Sequence, residues 1–394
     1  MNRAKKNSLQ GFTLVELLVA TSLGIMVILA MTTLFKMGMD ATFTVTQRAE
    51  LQENMRAAIE LMTQDISHAG AGLPTGGLQL VTGGSVSKYA CDQTATCYVP
   101  SHSYPTNVST GVANYMYGII PGNANGVQGG LTIPSAPAQR DDSITTVYED
   151  YNFPLTNFTF AITSATSATA TLVATPNTLL PTNILGAGGL NVGDLLLFIV
   201  STPGNGTSSS GTSLVQNAAV VAEITGISGA GPWVLTFNTG DALNLNQTGT
   251  TSNNLSSLAT AMGGASAQTS VARLNVVTYF LQVPTGGGTV QYPRLMRQVN
   301  GLAPIPVADN IINLQFSYDV IDAYTGYLSG NLANPIGSGQ SPSTIQKVNI
   351  WIMGQSLTAG TKKSQSMYLI TSVSASDMSF CNSYSPSTTA CAND

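Results

Sequence analysis

Apolar side chains fill the N-terminal part of the chain almost without a break. Residues 12–35 contain one ionisable side chain, Glu16. At 1.5 Å per residue, a helix over this stretch is roughly 36 Å long, which is enough to cross a hydrocarbon core of about 30 Å. The pattern therefore predicts a transmembrane helix.

After residue 36 the apolar positions begin to recur at intervals of three or four residues. They are Leu51, Met55, Ile59, Met62 and Ile66. This spacing is typical of one face of an amphipathic helix. We assign the ionisable residues around them to the opposite, solvated face: Arg48, Glu50, Glu53, Arg56, Glu60 and Asp65.

Glycines and a proline mark the end and the flexible points of this helix. Gly70, Gly72 and Pro74 predict where it stops, so the two helical segments form one rod of roughly 87 Å. Its outer half is expected to pack on a globular head. Gly24 and Gly38 are predicted to be the weakest points of the rod, where a helix bends or melts most easily.

Beyond residue 70 the apolar positions alternate with a period of two and are separated by turn residues, which predicts antiparallel strands. The clearest alternation places Ile312, Leu314, Phe316, Tyr318 and Val320 on one side of a strand. The predicted strands cover residues 144–148, 158–162, 170–174, 195–200, 219–224, 234–237, 276–281, 295–299, 312–320 and 348–353. The fold class is therefore α+β, with a long N-terminal helix and a mainly antiparallel β head.

Three segments interrupt this pattern with runs of Ser, Thr, Ala, Gly and Asn. They are residues 163–169, 201–213 and 239–270. This composition favours surface loops or insertions, and the last of them exceeds the usual length of a connection. We interpret them as additions to the head that have no binding role. A binding surface is the alternative interpretation.

The charges before the apolar run indicate a leader that is removed. Arg3, Lys5 and Lys6 carry three positive charges with no acid among them, which holds the N-terminus on the cytoplasmic side of a membrane. A secretory signal has a shorter apolar core followed by an A-x-A-like cleavage site. Here the small-residue break, Gly11-Phe12, precedes the apolar run, so that cleavage at this bond leaves the helix on the mature protein.

The sequence GFTLVE at residues 11–16 closely resembles the class III leader junction of type IV pilins and pseudopilins. The resemblance implies cleavage after Gly11 by a prepilin peptidase at the cytoplasmic face, with N-methylation of the new terminal residue, Phe12. It also implies a pilin-like fold. A plain N-terminal membrane anchor is the alternative interpretation.

Glu16 is an acid inside the predicted transmembrane helix, where a charged side chain costs about 2.5 to 3.5 kcal/mol and usually has a partner. Cleavage creates a free amine at Phe12. The resemblance implies that Glu16 pairs with the terminal amine of a neighbouring subunit, which gives it a role in subunit assembly. Alternatively, the Glu16 side chain extends to the nearby membrane interface.

The segments VVTYFL, RLMRQVNG, NIINLQFSYDV and QKVNIWIMG resemble the C-terminal region shared by PilW-type minor pilins and the J-type pseudopilins of type II secretion. The expected organisation has five parts. These are a leader at 1–11, a transmembrane and filament-core helix at 12–35, its amphipathic continuation at 36–70, a β-rich head region with Ser/Thr/Gly-rich loops at 71–270, and a C-terminal β-sheet region with a terminal disulfide loop at 271–394.

The composition agrees with a head exported to an oxidising compartment, because only 8% of the 394 residues are charged, against about 25% in typical domains. Without the three leader charges, 11 Lys and Arg remain against 19 acids, which gives a net charge near −8. Bulk electrostatics therefore disfavour binding to nucleic acid.

Four cysteines form two pairs that are close in sequence, Cys91 with Cys97 and Cys381 with Cys391. Four cysteines allow three connectivities, and we predict the two local bridges, each contributing about 2 to 3 kcal/mol. A bridge near the C-terminus also resembles the terminal disulfide loop of many pilins. A zinc site is the competing interpretation, but the spacings are not C-x2-C and the chain has two histidines.

The sequence shows no recognisable catalytic motif. His68 and His102 lie in no Ser/His/Asp or Cys/His arrangement, and the Gly-rich segments lack the Lys of a phosphate-binding loop. Acid clusters can in principle ligate Ca²⁺, but their spacing matches no EF-type loop, and we interpret them as solvated turns. They are Asp141 with Asp142, Glu149 with Asp150, and Asp319 with Asp322. We expect no catalytic residue, no cofactor and no metal.

Taken together, the motifs resemble a minor pilin of the PilW type, a structural subunit in the priming or tip complex of a type IV pilus. The resemblance implies an inner-membrane precursor with a cytoplasmic N-terminus and a periplasmic head, which later joins an extracellular pilus. The implied partners are other major and minor pilins, the prepilin peptidase and the inner-membrane pilus assembly platform. Three alternatives stay open: a J-type pseudopilin in a periplasmic pseudopilus, a DNA-uptake or adhesion pilin, and a membrane-anchored enzyme.

Overall fold

The structure is a computed structural model without ligands or partner chains. It describes residues 11–73, 77–81, 89–91, 97–98, 115–122, 141–207, 213–247, 254–261, 268–282, 293–321, 327–333, 342–356 and 365–375.

The predicted long helix is confirmed as α1, which runs from Leu14 to Ser67 without interruption. Its 54 residues correspond to a length of about 81 Å. The chain leaves the helix through Gly70 and Gly72, whose φ angles are +88° and +74°. Glycine adopts this left-handed conformation at little cost, which explains why the helix ends there. Gly24 does not break the helix in this structure.

The remaining elements are short and mostly extended. In chain order they are β1 (Leu78–Gln79), β2 (Tyr89–Cys91), β3 (Cys97–Tyr98), β4 (Tyr115–Met116), β5 (Ile119–Gly122), β6 (Ser143–Glu149), β7 (Phe158–Ser164), β8 (Ser167–Leu172), β9 (Leu195–Thr207), β10 (Ser213–Glu223), β11 (Gly226–Ser228), β12 (Trp233–Thr236), α2 (Leu255–Ala261), β13 (Gln268–Gln282), β14 (Arg294–Val299), β15 (Ile305–Ala308), β16 (Ile311–Ile321), β17 (Leu328–Leu332), a 3-10 turn (Pro342–Thr344), β18 (Ile345–Gln355) and β19 (Ser366–Ser374).

The strand pairs within the described residues are all antiparallel, which confirms a mainly antiparallel head. The largest sheet has the order β10-β9-β13-β7-β8-β12-β11, and β6 and β14 also pair with β13. A second sheet has the order β17-β16-β18-β19. The long strand β13 connects two parts of the first sheet. Its first residues pair with β7 and β9, and its last residues pair with β6 and β14.

The outer part of α1 packs on the second sheet and closes the main core. The face that it buries consists of Leu51, Met55, Ala58, Met62 and Ile66, together with Asp65. The predicted apolar face is therefore confirmed at four of its five positions. Ile59 lies half-buried at the edge of the face. Ala58 occupies the centre of the face, where a small residue allows the helix to approach the sheet closely.

The apolar run at the start of β9 is buried on both faces. Leu196 and Phe198 pack into a second core under β7, β8 and β12, whereas Leu195 and Leu197 pack into a third core with Leu78 and others. A strand that is covered on both sides has no solvent face. This explains why the sequence LLLFIV shows no alternation.

The Ser/Thr-rich segments were predicted to be loops, and this prediction is wrong for much of their length. Residues 163–169 contain the last residues of β7 and the first residues of β8, and residues 201–207 form the second half of β9. Helix α2 and the first residues of β13 lie within 239–270. In β8 the inward residues are Ala168 and Ala170, both fully buried. Alanine is a weak hydrophobic signal, so its alternation with Thr resembles low-complexity loop sequence.

Candidate functional site: an exposed apolar helix and its junction with the head

The first half of α1 is an apolar surface that the head does not cover. Its large apolar side chains are exposed from Phe12, which is 89% exposed, to Val45, which is 67% exposed. Within the described residues, α1 is the one helix long and apolar enough to cross a membrane, and its most apolar window has no buried residue. The apolar surface of this segment therefore needs lipid or another protein to cover it.

The polar side chains of this segment bond to its own backbone. The hydroxyls of Thr21, Ser22, Thr32 and Thr33 each donate a hydrogen bond to a carbonyl three or four residues earlier. Such internal bonds satisfy groups that lipid cannot satisfy. The hydroxyls therefore allow the segment to lie in an apolar environment without unpaired donors.

Thr13 and Glu16 form a capping box at the start of the helix. The backbone N–H of Glu16 donates to the Thr13 hydroxyl oxygen at 3.3 Å, and the backbone N–H of Thr13 donates to Glu16 Oε2 at 3.0 Å. The Thr13 hydroxyl also donates to Glu16 Oε2 at 2.9 Å. The box satisfies helix N–H groups that have no partner within the helix. The role of Thr13 was not predicted, although the T-x-x-E spacing is the known signature of this motif.

Asp65 fastens the other end of α1 to the head. Arg297 of β14 donates from Nε to Asp65 Oδ2 at 2.8 Å and from Nη2 to Oδ1 at 3.2 Å. Tyr148 of β6 donates its hydroxyl to Oδ1 at 2.7 Å, and Tyr279 of β13 donates to Oδ2. Asp65 is only 4% exposed, so its assignment to the solvated face is wrong. The carboxylate is buried because the head supplies four donors to it.

Burial and the charge of Asp65 shift the pKa of the two tyrosines and of Arg297. Burial raises the pKa of Tyr148 and Tyr279 well above the ordinary value, and the negative charge of Asp65 raises both further. Burial alone lowers the pKa of Arg297, but the hydrogen bonds to Asp65 and Tyr279 and the negative charge of Asp65 together outweigh this effect and raise the pKa overall. Both tyrosines therefore remain hydrogen-bond donors and Arg297 remains a cation at physiological pH.

Two further contacts set the position of α1 on the head. Arg48 donates from Nε to Gln365 Oε1 at 2.8 Å, just before β19. At Gly354 of β18, a Cβ atom would lie 2.6 Å from Leu51 Cδ1 and 2.9 Å from Met55 Sδ. A larger residue at this position would displace the ends of the Leu51 and Met55 side chains, so glycine favours the close approach of the helix to the sheet.

The structure places the predicted site residues as follows. Gly11 and Phe12 lie exposed immediately before the helix, and the leader residues 1–10 lie outside the described residues. The backbone positions of Cys91 and Cys97 are paired in the register of β2 and β3. Cys381 and Cys391 lie outside the described residues. Both predicted disulfides stay predictions.

The acid clusters are not the solvated turns that the sequence suggested. Asp141 and Asp142 are buried and accept hydrogen bonds from the backbone N–H groups of Leu314 and Phe316, at 3.1 Å and 2.9 Å. They therefore tie β6 to β16 and so join the two sheets. Burial raises the pKa of Asp141 to about 7. Among the described residues, no three His, Cys, Asp or Glu side chains are grouped so that they could hold a metal ion.

Of the remaining acids in these clusters, Glu149, Asp150 and Asp319 are partly buried. Asp150 forms an ion pair with Arg273 at 2.6 Å. Asp319 accepts a hydrogen bond from the backbone N–H of Asn331 at 2.8 Å. Asp322 lies outside the described residues. These carboxylates stabilise the head by bonds within the chain.

The chain matches no protein-family model, no curated protein and no solved structure. Its function therefore has to be inferred from its own residues and geometry.

Proposed function

We propose that this chain is a minor pilin, a structural assembly subunit of a type IV pilus that resembles the PilW type. The observation that carries the proposal is the apolar surface of residues 12–45, which begins directly after Gly11 and is left uncovered by the head. A surface of this size must be covered by lipid or by other apolar helices. An assembly subunit is surrounded by lipid before assembly and by the apolar helices of other subunits after it.

Before assembly, the exposed half of α1 lies in the membrane and is surrounded by lipid. In the filament, helices of the same kind replace the lipid. Because lipid tails are as apolar as leucine, this exchange is driven by packing and by polar contacts between helices. Glu16 supplies such a polar contact, since it can accept a bond from the terminal amine of a neighbouring subunit.

The position of the capping box fits maturation at Gly11. Thr13 and Glu16 both lie on the mature side of the proposed cut, so the helix keeps its N-terminal cap after the leader is removed. Cleavage leaves one residue, Phe12, ahead of the cap. The new amine at Phe12 therefore lies next to a helix start that is already formed.

The junction at Asp65 gives the filament a rigid connection between its core and its outside. The bonds of Asp65 to Arg297 and Tyr148 hold the head at one position on the helix. We place the head in the periplasm before assembly and on the outside of the pilus after it, with the N-terminus in the cytoplasm. The partners are other major and minor pilins, the prepilin peptidase and the inner-membrane assembly platform, and the activity is assembly rather than catalysis.

The substitution Gly11→Val tests this proposal, because the larger side chain should block the prepilin peptidase. Intact-mass measurement should show an uncut chain that retains residues 1–11 and is absent from sheared filaments. Gly24→Ala is the matched control, since a Cβ atom at this helical glycine meets open space, and it should be processed normally. A Gly11→Val chain that begins at Phe12 and enters filaments contradicts the proposal.

A further inference from the structure

An open cleft lies in the head near the β11 end of the first sheet, and we call it the head cleft. It encloses about 690 Å³. One wall consists of Thr171 and Leu172 at the end of β8, the second belongs to the loop at residues 182–185, and the third is the turn at residues 229–233 that leads into β12. Pockets for small ligands usually enclose roughly 300–1,000 Å³, so the head cleft is large enough to hold one.

The most buried side chain that lines the head cleft is an indole ring. Trp233 is 6% exposed, and its ring packs edge-on against the ring of Phe158 with 5.6 Å between the centroids. At Gly231, where φ is +112°, a Cβ atom would lie 3.7 Å from Trp233 Cη2 and 3.8 Å from Cζ2. Because glycine has no side chain, Gly231 leaves these ring atoms uncovered. Trp233 therefore presents a fixed apolar edge to the cleft.

The loop that forms the second wall is held in place by a buried asparagine. Asn157 is 3% exposed, and its Nδ2 donates to the carbonyls of Asn177 at 2.8 Å and Pro181 at 3.0 Å. Its Oδ1 accepts a bond from the backbone N–H of Asn177 at 3.0 Å. Within the wall, Asn183 Oδ1 accepts a bond from the backbone N–H of Leu185 at 3.0 Å. A wall that is already fixed lowers the cost of ordering it when a ligand binds.

Several polar side chains of the head cleft are not used by the fold. On the neighbouring strand β7, the hydroxyl of Thr159 donates to the carbonyl of Thr171 at 3.2 Å. By contrast, the hydroxyls of Thr171 and Thr182 and the Nδ2 of Asn183 make no hydrogen bond to another residue that the structure describes. All three of these side chains are exposed. The cleft therefore offers two hydroxyls and one amide nitrogen to a ligand.

The head cleft and the sequence around it carry almost no charge. None of the residues that line it is charged. Residues 151–240 contain two charged side chains, Asp194 and Glu223. Asp194 lies 3.7 Å from the guanidinium of Arg273, and Glu223 is only 5% exposed. A phosphate, a carboxylate or an ammonium group would therefore lose water in this cleft without gaining a counter-charge, so the chemistry of the site favours a neutral ligand.

We propose that the head cleft binds a neutral saccharide. The hydroxyl groups of a saccharide both donate and accept hydrogen bonds, so they bond to the hydroxyls of Thr171 and Thr182 and to the amide of Asn183, while its C–H groups pack on the edge of Trp233. An extended peptide fits less well, because peptides add to a free strand edge and β8 already pairs with β7 and β12. This binding activity is independent of the proposed role in assembly.

Tryptophan fluorescence tests the proposal, because the chain has two tryptophans and Trp351→Phe leaves Trp233 as the single reporter. The full-length Trp351→Phe chain, in a detergent whose headgroup is not a sugar, is titrated with cellotetraose, chitotetraose and mannotetraose. At least one of them should change the emission of Trp233 saturably at millimolar concentration. A tetramer of galacturonic acid, which carries a carboxylate on each ring, should bind at least about tenfold more weakly, because the cleft supplies no counter-charge.

Two threonines of the same loop provide a matched pair of variants in this single-tryptophan chain. Thr182→Val removes a hydroxyl at nearly constant shape and should weaken saccharide binding about fivefold, the effect of one hydrogen bond. Thr178→Val is the control, since Thr178 is exposed but does not line the cleft, and its affinity should stay within about twofold of the parent. Equal affinities of the two variants overturn the proposal. It is also overturned if none of the three neutral saccharides gives a saturable response, or if an uncharged peptide of glycine, serine and tyrosine binds in their place.

Discussion

Arg297 donates two hydrogen bonds to Asp65, from Nε at 2.8 Å and from Nη2 at 3.2 Å, across a sequence separation of 232 residues. This pair joins the last turns of α1 to β14. Replacing one partner leaves the other charge buried and unpaired, which typically costs about 3 to 5 kcal/mol. The junction between helix and head therefore depends on both residues.

We predict that Asp65→Ala lowers the free energy of unfolding of the head by about 3 kcal/mol, because it leaves the guanidinium of Arg297 without its partner. Chemical denaturation of the detergent-solubilised chain, followed by tryptophan fluorescence, measures this change. The double variant Asp65→Ala with Arg297→Met should lose less than the sum of the single changes.

Asp309→Ala is the control for this experiment. It breaks the ion pair of Arg294 with Asp309 at 2.7 Å, whose side chains are both exposed. Exposed pairs contribute about 0 to 1 kcal/mol, so little change is expected. Equal destabilisation by Asp309→Ala and Asp65→Ala would show that burial of the Asp65 pair has no special effect.

The stability of the head should fall as the pH rises through neutrality. Burial raises the pKa of Asp141 and of Glu223 to about 7, from ordinary values of 3.8 and 4.5. The folded state therefore binds these protons more tightly than the unfolded state. Their contribution is fully present below about pH 4 and is lost between there and about pH 7.

Thermal unfolding measured from pH 4.5 to 8 should thus show a melting temperature that declines toward pH 8. Asp141→Asn keeps an oxygen that can accept the bond from Leu314 but cannot ionise. This variant should show a shallower decline than wild type over the same range. An identical pH profile of wild type and Asp141→Asn contradicts a raised pKa at this residue.

Glu16→Leu should separate membrane insertion from assembly. The substitution removes a costly acid from an apolar helix, so insertion should be at least as efficient as in wild type. It also removes the contact with the neighbouring amine, and incorporation into filaments should fall strongly. Thr13→Val, which breaks the capping box but keeps the carboxylate, should have a smaller effect, because a lost N-cap costs only about 1 kcal/mol. Wild-type incorporation of Glu16→Leu would remove the pairing role.

The cysteine pairing is open to direct mapping. Peptides from the non-reduced protein should contain one link between Cys91 and Cys97 and another between Cys381 and Cys391. The backbone pairing of Cys91 with Cys97 in strands β2 and β3 is compatible with the first link. A link between the two regions, such as Cys91 with Cys391, would show that the prediction of local bridges is wrong.

Strong periodic patterns made much of the fold predictable. The long helix, its end shortly before Gly70 and the alternating strand that contains Leu314 and Phe316 are all confirmed. In each case many residues repeat one simple period, so no single exception changes the prediction.

The errors at the acidic residues share one cause, which is that burial of a polar residue depends on partners distant in the sequence. Asp65 lies three residues after Met62 and therefore on the edge of the buried face, but its burial is favourable because of donors far along the chain, above all Arg297. Asp141 is buried for the same reason, through the backbone of β16.

The central claim is that the apolar helix survives maturation and ends in a filament. Intact-mass and N-terminal analysis of the native protein, recovered both from membranes and from sheared pili, tests it most directly. We predict a mature chain that begins at N-methylated Phe12 in both fractions. A mature chain that begins downstream of the apolar segment, near Lys36, or a chain that never occurs in pili, would contradict the account.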